Sequence, residues 1–185
     1  MDKAVFINKG DTRYHFHFRY PMLKLDLKRS QYLVKLGSEY LWDTRDPSES
    51  PLSLKRNIGE TCWSAYILDD NGRLIGSSVG EMDLKKSSAE LNWLIIHPQW
   101  RGESLRSKGE SSLCYPFFRF LLIQLSRHCG SVSLFNVVER VGCYCYVKAG
   151  IDLNFSVYLE GVRLSSLEDC LETPDLENIL IKFHV

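Results

Sequence analysis

A basic loop rich in glycine and serine follows a strongly apolar segment of this chain. The segment from Glu90 to Ser112, ELNWLIIHPQWRGESLRSKGESS, predicts a buried strand, a proline, a loop and the first turn of an apolar helix. A loop that leads into a helix N-terminus can hold a phosphate or pyrophosphate, because backbone N–H groups point at the anion and the helix dipole favours negative charge. The segment therefore predicts a site for a cofactor that carries phosphate.

Composition and charge limit the classes of function. The chain has 185 residues, of which 44% are hydrophobic, and this suits one globular domain. Lys and Arg together number 23, as do Asp and Glu, so the formal net charge is zero and a nucleic-acid binder is not expected. No apolar run approaches the ~20 residues of a membrane span, and the first residues lack the apolar core of a signal peptide. We expect a cytoplasmic protein with no membrane partner.

The cysteines predict reduced, mostly buried thiols rather than a metal site. They are Cys62, Cys114, Cys129, Cys143, Cys145 and Cys170, and the pair Cys143 and Cys145 forms a C-x-C motif. None forms the C-x-x-C pair that is typical of zinc sites. His15 and His17 alternate in a strand-like segment with no cysteine close by in the sequence. We therefore expect no bound metal.

Hydrophobic periodicity predicts an alternation of strands and helices. Strands are expected over 3–20 (as one strand or a hairpin turning at Gly10-Asp11), 61–68, 73–83, 90–97, 131–138, 155–159 and 179–185. Helices are expected from Leu25 to about Trp42 (as one helix or two short ones), over 52–58, over 112–128 and over 140–149. Asn71-Gly72 marks a hairpin turn, and Gly130 and Gly150 are expected to close the last two helices. This order predicts an α/β fold in which a mixed sheet is flanked by helices.

Three features in this order resemble the GNAT superfamily of N-acetyltransferases. Residues 94–102, LIIHPQWRG, are similar to the V-H-P-x-x-R-G strand end of that family, a long apolar helix follows, and residues 146–151, YVKAGI, are similar to its Y-x-K-x-G-F helix ending. The resemblance covers about residues 61 to 151. It implies one GNAT-like domain over 1–185, with the N-terminal strand and helices at 1–60, the cofactor-binding core at 61–151 and the C-terminal strands at 152–185. It also implies a mostly antiparallel sheet with one splayed parallel pair of strands.

The resemblance implies acetyl-CoA as the co-substrate, with a pyrophosphate loop in one of two registers. Read from Arg101 the loop is R-G-E-S-L-R, with serine and arginine where the family has glycines, and read from Arg106 it is R-S-K-G-E-S. In either register the backbone amides between Arg101 and Ser112 would hold the pyrophosphate, and Arg101, Arg106 and Lys108 would neutralise it. The loop residues expected to bind are Arg101, Gly102, Arg106, Ser107, Lys108, Gly109, Glu110 and Ser111. The family often has an asparagine seven residues before the tyrosine; here that position is Glu139, and Asn136 lies three residues earlier.

The implied chemistry is direct attack of an amine on the thioester, in a notch between strands 90–97 and 131–138. The pantetheine would pair with the backbone of Leu94, Ile95 and Ile96 as an added half-strand. Tyr146 is the expected acid for the leaving thiolate, with a core aromatic as its alternative role and Tyr144 as its substitute. Glu90 is the expected base, because it begins the buried strand ELNWLII at a place where some family members carry a glutamate, or else it faces solvent. Glu81, Asp83 and His97 are the alternatives, although His97 is also placed to cap the strand.

The acceptor is expected to meet the cofactor beside the N-terminal helices and the last strands. These regions carry the aromatics Tyr40, Trp42 and Trp63 and the acids Asp43, Asp46, Glu168, Asp169 and Glu172, which form either an acidic rim for a cationic amine or a solvated surface.

Two other functions stay open. One is a longer-chain acyltransferase similar to acyl-homoserine-lactone synthases, whose E-L-S-R motif resembles Glu90-Leu91-Asn92; the other is a non-catalytic protein that binds CoA or a partner. A homodimer through an exposed edge of the last strands is also possible.

Overall fold

The chain divides into two units, one of residues 1–81 and 92–101 and the other of residues 82–91 and 102–185. The computed structural model describes residues 2–9, 12–26, 28–29, 32, 61–97, 100, 113–137, 140–171 and 179–185. The strands are β1 (Asp2–Lys9), β2 (Thr12–Arg19), β3 (Cys62–Asp69), β4 (Leu74–Asp83), β5 (Ser88–Ile96), β6 (Ser131–Val137), β7 (Ser156–Leu159), β8 (Val162–Arg163) and β9 (Ile179–His184). The helices are α1 (Cys114–Ser126), α2 (Arg140–Asp152) and α3 (Glu168–Leu171). Strand β5 contributes residues 92–96 to the first unit and 88–91 to the second.

The first unit contains strands in the hydrogen-bonded order β1-β2-β3-β4-β5. The strands β1 to β4 pair antiparallel in sequence. Strand β2 shows why the alternating sequence forms a strand: Tyr14, Phe16 and Phe18 are buried on one face, while His15 and His17 are half-buried on the other. Of the two alternatives for residues 3–20, the antiparallel pairing of β1 and β2 confirms the hairpin, and the expected turn at Gly10-Asp11 lies outside the described residues. Of the helix expected from Leu25, residues 24–26, 28–29 and 32 are helical, and the rest lies outside the described residues, as does the one expected at 52–58.

The turn between β3 and β4 follows from its sequence. One carboxylate oxygen of Asp69 accepts hydrogen bonds from the amides of Asn71 (3.0 Å) and Arg73 (2.8 Å). Gly72 has a φ of +74°, a conformation that glycine adopts at little cost. The turn expected at Asn71-Gly72 is therefore confirmed.

The second unit has the strand order β5-β6-β9-β7-β8. The last long strand, β9, pairs antiparallel with β6 on one side and with β7 on the other. It is therefore not an edge strand. The order ends at the two-residue strand β8, and the homodimer through the last strands stays a prediction. The two-residue strand β8 was not expected from the sequence, because a bridge this short has no periodicity of its own.

Helix α1 forms because its sequence, CYPFFRFLLIQLS, presents a continuous apolar face. Phe117, Phe118, Leu121, Leu122 and Leu125 are all buried. Pro116 lies in the first turn, as expected, where no intrahelical N–H is required. The helix ends with Arg127 as its C-cap, so the expectation that Gly130 closes it is wrong. The Gly130 amide instead donates to the carbonyl oxygen (2.9 Å) and the hydroxyl oxygen (2.8 Å) of Ser87.

Helix α2 runs two residues beyond Gly150, which was expected to end it. A Cβ atom at Gly150 would lie 2.6 Å from two ring carbons of Phe183 and 2.8 Å from Val157, so the glycine permits close packing rather than a helix end. The helix ends in a Schellman motif in which Asn154, with a φ of +58°, takes the left-handed position. The Phe155 amide donates to the Gly150 carbonyl (3.0 Å), and the Asn154 amide donates to that of Ile151 (2.9 Å).

Candidate active site

A parallel pair of strands lies in the second unit. Residues 88–91 of β5 pair in register with residues 131–134 of β6, so that Glu90 lies opposite Ser133 and Leu91 opposite Leu134. The Ser133 hydroxyl donates to the Ala89 carbonyl at 3.4 Å. The other strand pairs for which a register is described, β1–β2, β2–β3, β3–β4, β6–β9, β7–β8 and β7–β9, are antiparallel. The mostly antiparallel sheet with one parallel pair, expected from the resemblance, is confirmed.

The second half of β5 carries the residues expected to bind pantetheine. Leu94 is half-buried, and Ile95 and Ile96 are buried. The His97 amide donates to the Ile75 carbonyl of β4 at 2.7 Å, and the Trp93 carbonyl accepts from the Ser78 hydroxyl of β4 at 2.6 Å. Because alternate residues of a strand direct their backbone groups to opposite sides, the N–H and C=O of Leu94 point away from β4.

Glycine at position 76 lets β4 approach β5 closely. A Cβ there would lie 2.8 Å from the Cδ1 atom of Ile96 and 3.2 Å from the Ile95 carbonyl oxygen. The end of β5 is held as well, because Trp100 donates its indole N–H to the Tyr14 hydroxyl at 3.1 Å and its amide to the His97 carbonyl at 2.9 Å. These contacts fix the chain immediately before the basic loop.

Tyr146 lies on α2 with its ring packed into an aromatic cluster. Its ring centroid is 4.4 Å from that of Phe118, and the Phe118 centroid is 5.6 Å from that of Phe183. Tyr146 itself is half-buried, so the ring is packed against Phe118 while part of the side chain remains accessible. Tyr144 is also half-buried.

Glu90 is exposed in the parallel pair, between the buried residues Ala89 and Leu91. The alternative in which Glu90 faces solvent is therefore confirmed, because the alternation of β5 turns this side chain away from the buried face. Of the alternatives, Glu81 is exposed. Asp83 holds the turn after β4 by accepting from the amides of Lys85 (3.0 Å) and Lys86 (3.1 Å), and the bond from Lys86 lowers the pKa of its carboxyl.

His97 is the remaining alternative for the base, and it lies at the end of β5. Its ring packs edge-on against that of Trp100, with centroids 4.8 Å apart. This ring contact and the hydrogen bond from the His97 amide to the Ile75 carbonyl place His97 as a cap of the strand.

Several expected site residues lie outside the described part of the chain. They include every expected residue of the pyrophosphate loop (Arg101, Gly102, Arg106, Ser107, Lys108, Gly109, Glu110 and Ser111) and, around the expected acceptor region, Tyr40, Trp42, Asp43, Asp46 and Glu172. Asn136 lies within strand β6.

Two residues expected near the acceptor have structural roles instead. Trp63 is fully buried, with 0% exposure, and donates its indole N–H to the Glu81 carbonyl at 3.2 Å. It is therefore part of the core of the first unit and cannot line an open surface. Asp169 accepts from the amides of Ser165 (2.7 Å) and Ser166 (2.9 Å), and these bonds, that from Ser166 above all, lower the pKa of its carboxyl. It caps the start of α3.

A polar cluster that was not expected joins the first turn of α1 to the end of α2. Asp152 accepts from Lys148 at 2.6 Å and from the Tyr115 hydroxyl, and the Lys148 ammonium lies 5.0 Å from the centre of the Tyr115 ring. Partial burial acts to raise the pKa of Asp152, but the hydrogen bonds from Lys148 and Tyr115 outweigh it and lower that pKa. Burial, and then the bond to Asp152, raise the pKa of Tyr115. The four-residue spacing of Lys148 and Asp152 could have revealed this pair had the helix not been expected to end at Gly150.

The described residues contain no group of three or more His, Cys, Asp or Glu side chains that could hold a metal ion. The same part of the chain has no helix with the length and apolar character needed to cross a bilayer.

Comparison with solved structures identifies the fold. The chain is similar to a spermidine N-acetyltransferase from Vibrio cholerae solved with CoA and spermine, at 14% identity and a TM-score of 0.53, covering 92% of this chain and 94% of that one. It is similar to the PaiA N-acetyltransferase from Thermoplasma acidophilum solved with coenzyme A, at 13% identity and a TM-score of 0.53, covering 92% and 99%. It is also similar to the ribosomal-protein-S18-alanine N-acetyltransferase from Escherichia coli, at 14% identity and a TM-score of 0.52, covering 91% of each chain.

Sequence comparison adds nothing to this, since no family model and no curated protein matches the chain. The structural likeness extends over more than nine-tenths of the chain at low identity, so it establishes the fold. This chain has the fold of the GNAT N-acetyltransferases.

Proposed function

We propose that this protein is an N-acetyltransferase that transfers the acetyl group of acetyl-CoA to a primary amine of a small molecule or a protein. The observation that carries the proposal is the parallel β5–β6 pair among antiparallel strands, in a fold shared with two N-acetyltransferases that were solved with CoA. The pyrophosphate would be bound by the loop of residues 101–111, where Arg101, Arg106 and Lys108 supply positive charge and the backbone supplies N–H groups.

The pantetheine arm would bind along residues Leu94 to Ile96 of β5. Support comes from the direction of the Leu94 backbone, whose N–H and C=O point away from β4. An amide-bearing arm can pair with such groups as an added strand does. A backbone N–H in this segment would also polarise the thioester carbonyl, and preorganised donors of this kind stabilise the charge that develops on the oxygen during attack.

Two side chains would move the protons. Tyr146 would donate its hydroxyl proton to the sulfur of the leaving CoA; its ring is fixed by Phe118, which limits the orientations of the hydroxyl. Glu90 would accept a proton from the incoming ammonium, directly or through one water molecule. The exposure of Glu90 supports contact with solvent and with an arriving amine.

The test is a turnover assay that follows release of the CoA thiol from acetyl-CoA. The amine panel contains spermidine, lysine, and a peptide with an N-terminal alanine, and a reaction without amine is the blank. We expect at least one amine to raise thiol release well above the blank, together with an acetylated product of matching mass. Binding of acetyl-CoA without turnover of any amine would contradict the proposed acetyltransferase activity and would support a non-catalytic CoA-binding protein.

The loop and the acyl length are tested in the same assay. Replacing Arg101 and Arg106 together by Ala should raise the KM for acetyl-CoA, because two positive charges near the pyrophosphate are lost. Replacing the exposed Lys85 and Lys86 in the β4–β5 turn is the matched control for a loss of two charges, and it should leave KM unchanged. Faster turnover with a medium-chain acyl-CoA than with acetyl-CoA would instead favour a longer-chain acyltransferase.

A further inference from the structure

The C-x-C motif of α2 places its two thiols against different neighbours. Cys143 and Cys145 are two residues apart, which on a helix separates their side chains by about 200°. Cys143 meets Cys170 of α3, with the two sulfur atoms 3.4 Å apart. Cys145 is hydrogen-bonded to Cys114, the first residue of α1. The motif is therefore part of two separate thiol pairs.

We infer that Cys143 and Cys170 form a reversible disulfide when the protein meets a hydroperoxide, and that this bond joins α3 to α2. The two sulfur atoms already touch, and a disulfide would bring them about 1.4 Å closer, from 3.4 Å to the ~2.05 Å of an S–S bond. Helix α3 has only four residues, so a small movement of one turn can supply this approach. This inference does not depend on the proposed function.

The two thiols differ in the way that the reaction requires. Cys170 is 5% exposed and Cys143 is 0% exposed, so a peroxide reaches Cys170 first. The hydrogen bond shared by the two sulfur atoms lowers the pKa of Cys170. Cys170 is therefore the better thiolate, and thiolate is the form that attacks a peroxide.

The step balances with hydrogen peroxide as the oxidant. The Cys170 thiolate attacks one peroxide oxygen, the O–O bond breaks, and Cys170 becomes a sulfenic acid while hydroxide leaves and takes up the proton released by the thiol. The Cys143 sulfur then attacks the Cys170 sulfur, the S–O bond breaks, and the S–S bond forms. The second hydroxide leaves with the Cys143 proton. Two thiols and one peroxide thus yield one disulfide and two waters.

The test is peptide mapping of the whole chain after brief treatment with hydrogen peroxide under native conditions, followed by alkylation of the remaining thiols. We expect a cross-linked peptide pair containing Cys143 and Cys170, a mass loss of two hydrogens, and loss of the cross-link with dithiothreitol. The oxidised protein should also have a Tm several degrees higher, because the bond closes a loop from residue 143 to 170 in the unfolded chain.

Variants separate this pair from general oxidation of thiols. Cys170→Ala should abolish the cross-link and the rise in Tm, while Cys129→Ala, which removes another buried thiol of the same unit, should retain both. If Cys170→Ala fails to fold, the peptide map of the oxidised wild-type protein decides whether the cross-link forms. Sulfinic or sulfonic acid on Cys170 without a cross-link, a cross-link only between Cys114 and Cys145, or no modification of either thiol would overturn the inference.

Discussion

Gly150 of α2 lies directly against the ring of Phe183 in β9, so closely that a Cβ atom at position 150 would be 2.6 Å from two ring carbons. Phe183 in turn packs on Phe118, and Phe118 packs on Tyr146. Gly150 and Tyr146 are four residues apart and lie on the same face of the helix. This close contact therefore sets where α2 holds the tyrosine that we propose as the catalytic acid.

Replacing Gly150 by Ala should lower the free energy of unfolding by about 1–3 kcal/mol, because the added methyl group overlaps Phe183 and Val157. Urea unfolding measures the change. Gly130→Ala is the matched control, because a Cβ there meets its nearest atom at an ordinary 3.4 Å, and this variant should stay within about 0.5 kcal/mol of the wild type. Equal stability of the two variants would show that the Phe183 contact is looser than described.

Replacing Tyr146 by Phe should lower kcat about 10²-fold or more, because the leaving thiolate loses its proton donor. Phenylalanine keeps the ring contact with Phe118, so the free energy of unfolding and the affinity for acetyl-CoA should change little. Tyr144→Phe removes a hydroxyl from a different side of the same helix and should leave kcat close to that of the wild type. A Tyr146→Phe enzyme with full kcat would rule out this acid.

The cluster of Asp152, Lys148 and Tyr115 should make stability depend on pH in the acid range. The pKa of Asp152 is lowered in the folded protein, so the folded state binds this proton less readily than the unfolded state. Its contribution is complete above the unfolded pKa and is lost as the pH falls through the folded pKa.

Asp152→Asn should therefore destabilise the protein at pH 7, by less than about 1 kcal/mol because the pair is partly exposed. The difference from the wild type should shrink as the pH falls below 3.8 and through the lower pKa of the folded state. Denaturant unfolding at several pH values gives the two curves. Asp70→Asn in the first unit, whose carboxylate accepts from His15 and whose pKa is lowered by that bond, should show a pH dependence in the same direction. A difference that grows as the pH falls would contradict the direction assigned to the pKa of Asp152.

His17 in the first unit should lower stability as the solution becomes acid. Its ring stacks on Tyr66 at 4.7 Å, and its Nδ1 atom is buried without a hydrogen-bond partner among the described residues. Burial, followed by the charges of His15, Arg29 and Arg19, lowers the pKa of His17 below 6.5. The unfolded chain therefore takes up this proton first, and stability falls as the pH drops from 6.5 towards the folded pKa.

NMR titration should place the pKa of His17 below 6.5, its ordinary value. His17→Phe keeps a ring on Tyr66 and should flatten the fall in the free energy of unfolding between about pH 7 and pH 5. His128→Gln, at an exposed position, should keep the wild-type slope. A measured pKa above 6.5 would contradict the burial of the imidazole.

Local signals in the sequence were sufficient for most elements of the fold. The Asn71-Gly72 turn and the alternation of β2 each predicted what forms, because turn geometry and burial on one face are local properties. The structural role of a glycine was ambiguous from the local sequence. Gly130 and Gly150 were expected to end helices, but each serves a contact with a distant residue, Ser87 or Phe183, which no local pattern reveals.

The pairing of strands that are distant in sequence was the second property that local patterns did not predict. The insertion of β9 between β6 and β7 depends on which strands pair, and the strand periodicity of residues 179–185 is the same for an edge and for an interior strand. Burial at Trp63 and exposure at Glu90 also depend on what covers each face of the sheet. The parallel pair, by contrast, was expected only because residues 94–102, the apolar helix that follows and residues 146–151 together resemble one family.

The most direct test of acetyl-CoA binding is thermal unfolding in the presence of acetyl-CoA, with free CoA, a medium-chain acyl-CoA and ATP titrated in parallel. At about 100 times Kd a ligand of the folded state adds ~2.7 kcal/mol, which for a chain of this size raises Tm by about 5–10 °C. An enzyme that uses acetyl-CoA should show such a rise with acetyl-CoA and CoA, and little or none with ATP. No rise with any acyl-CoA would contradict cofactor binding, and with it the proposed N-acetyltransferase.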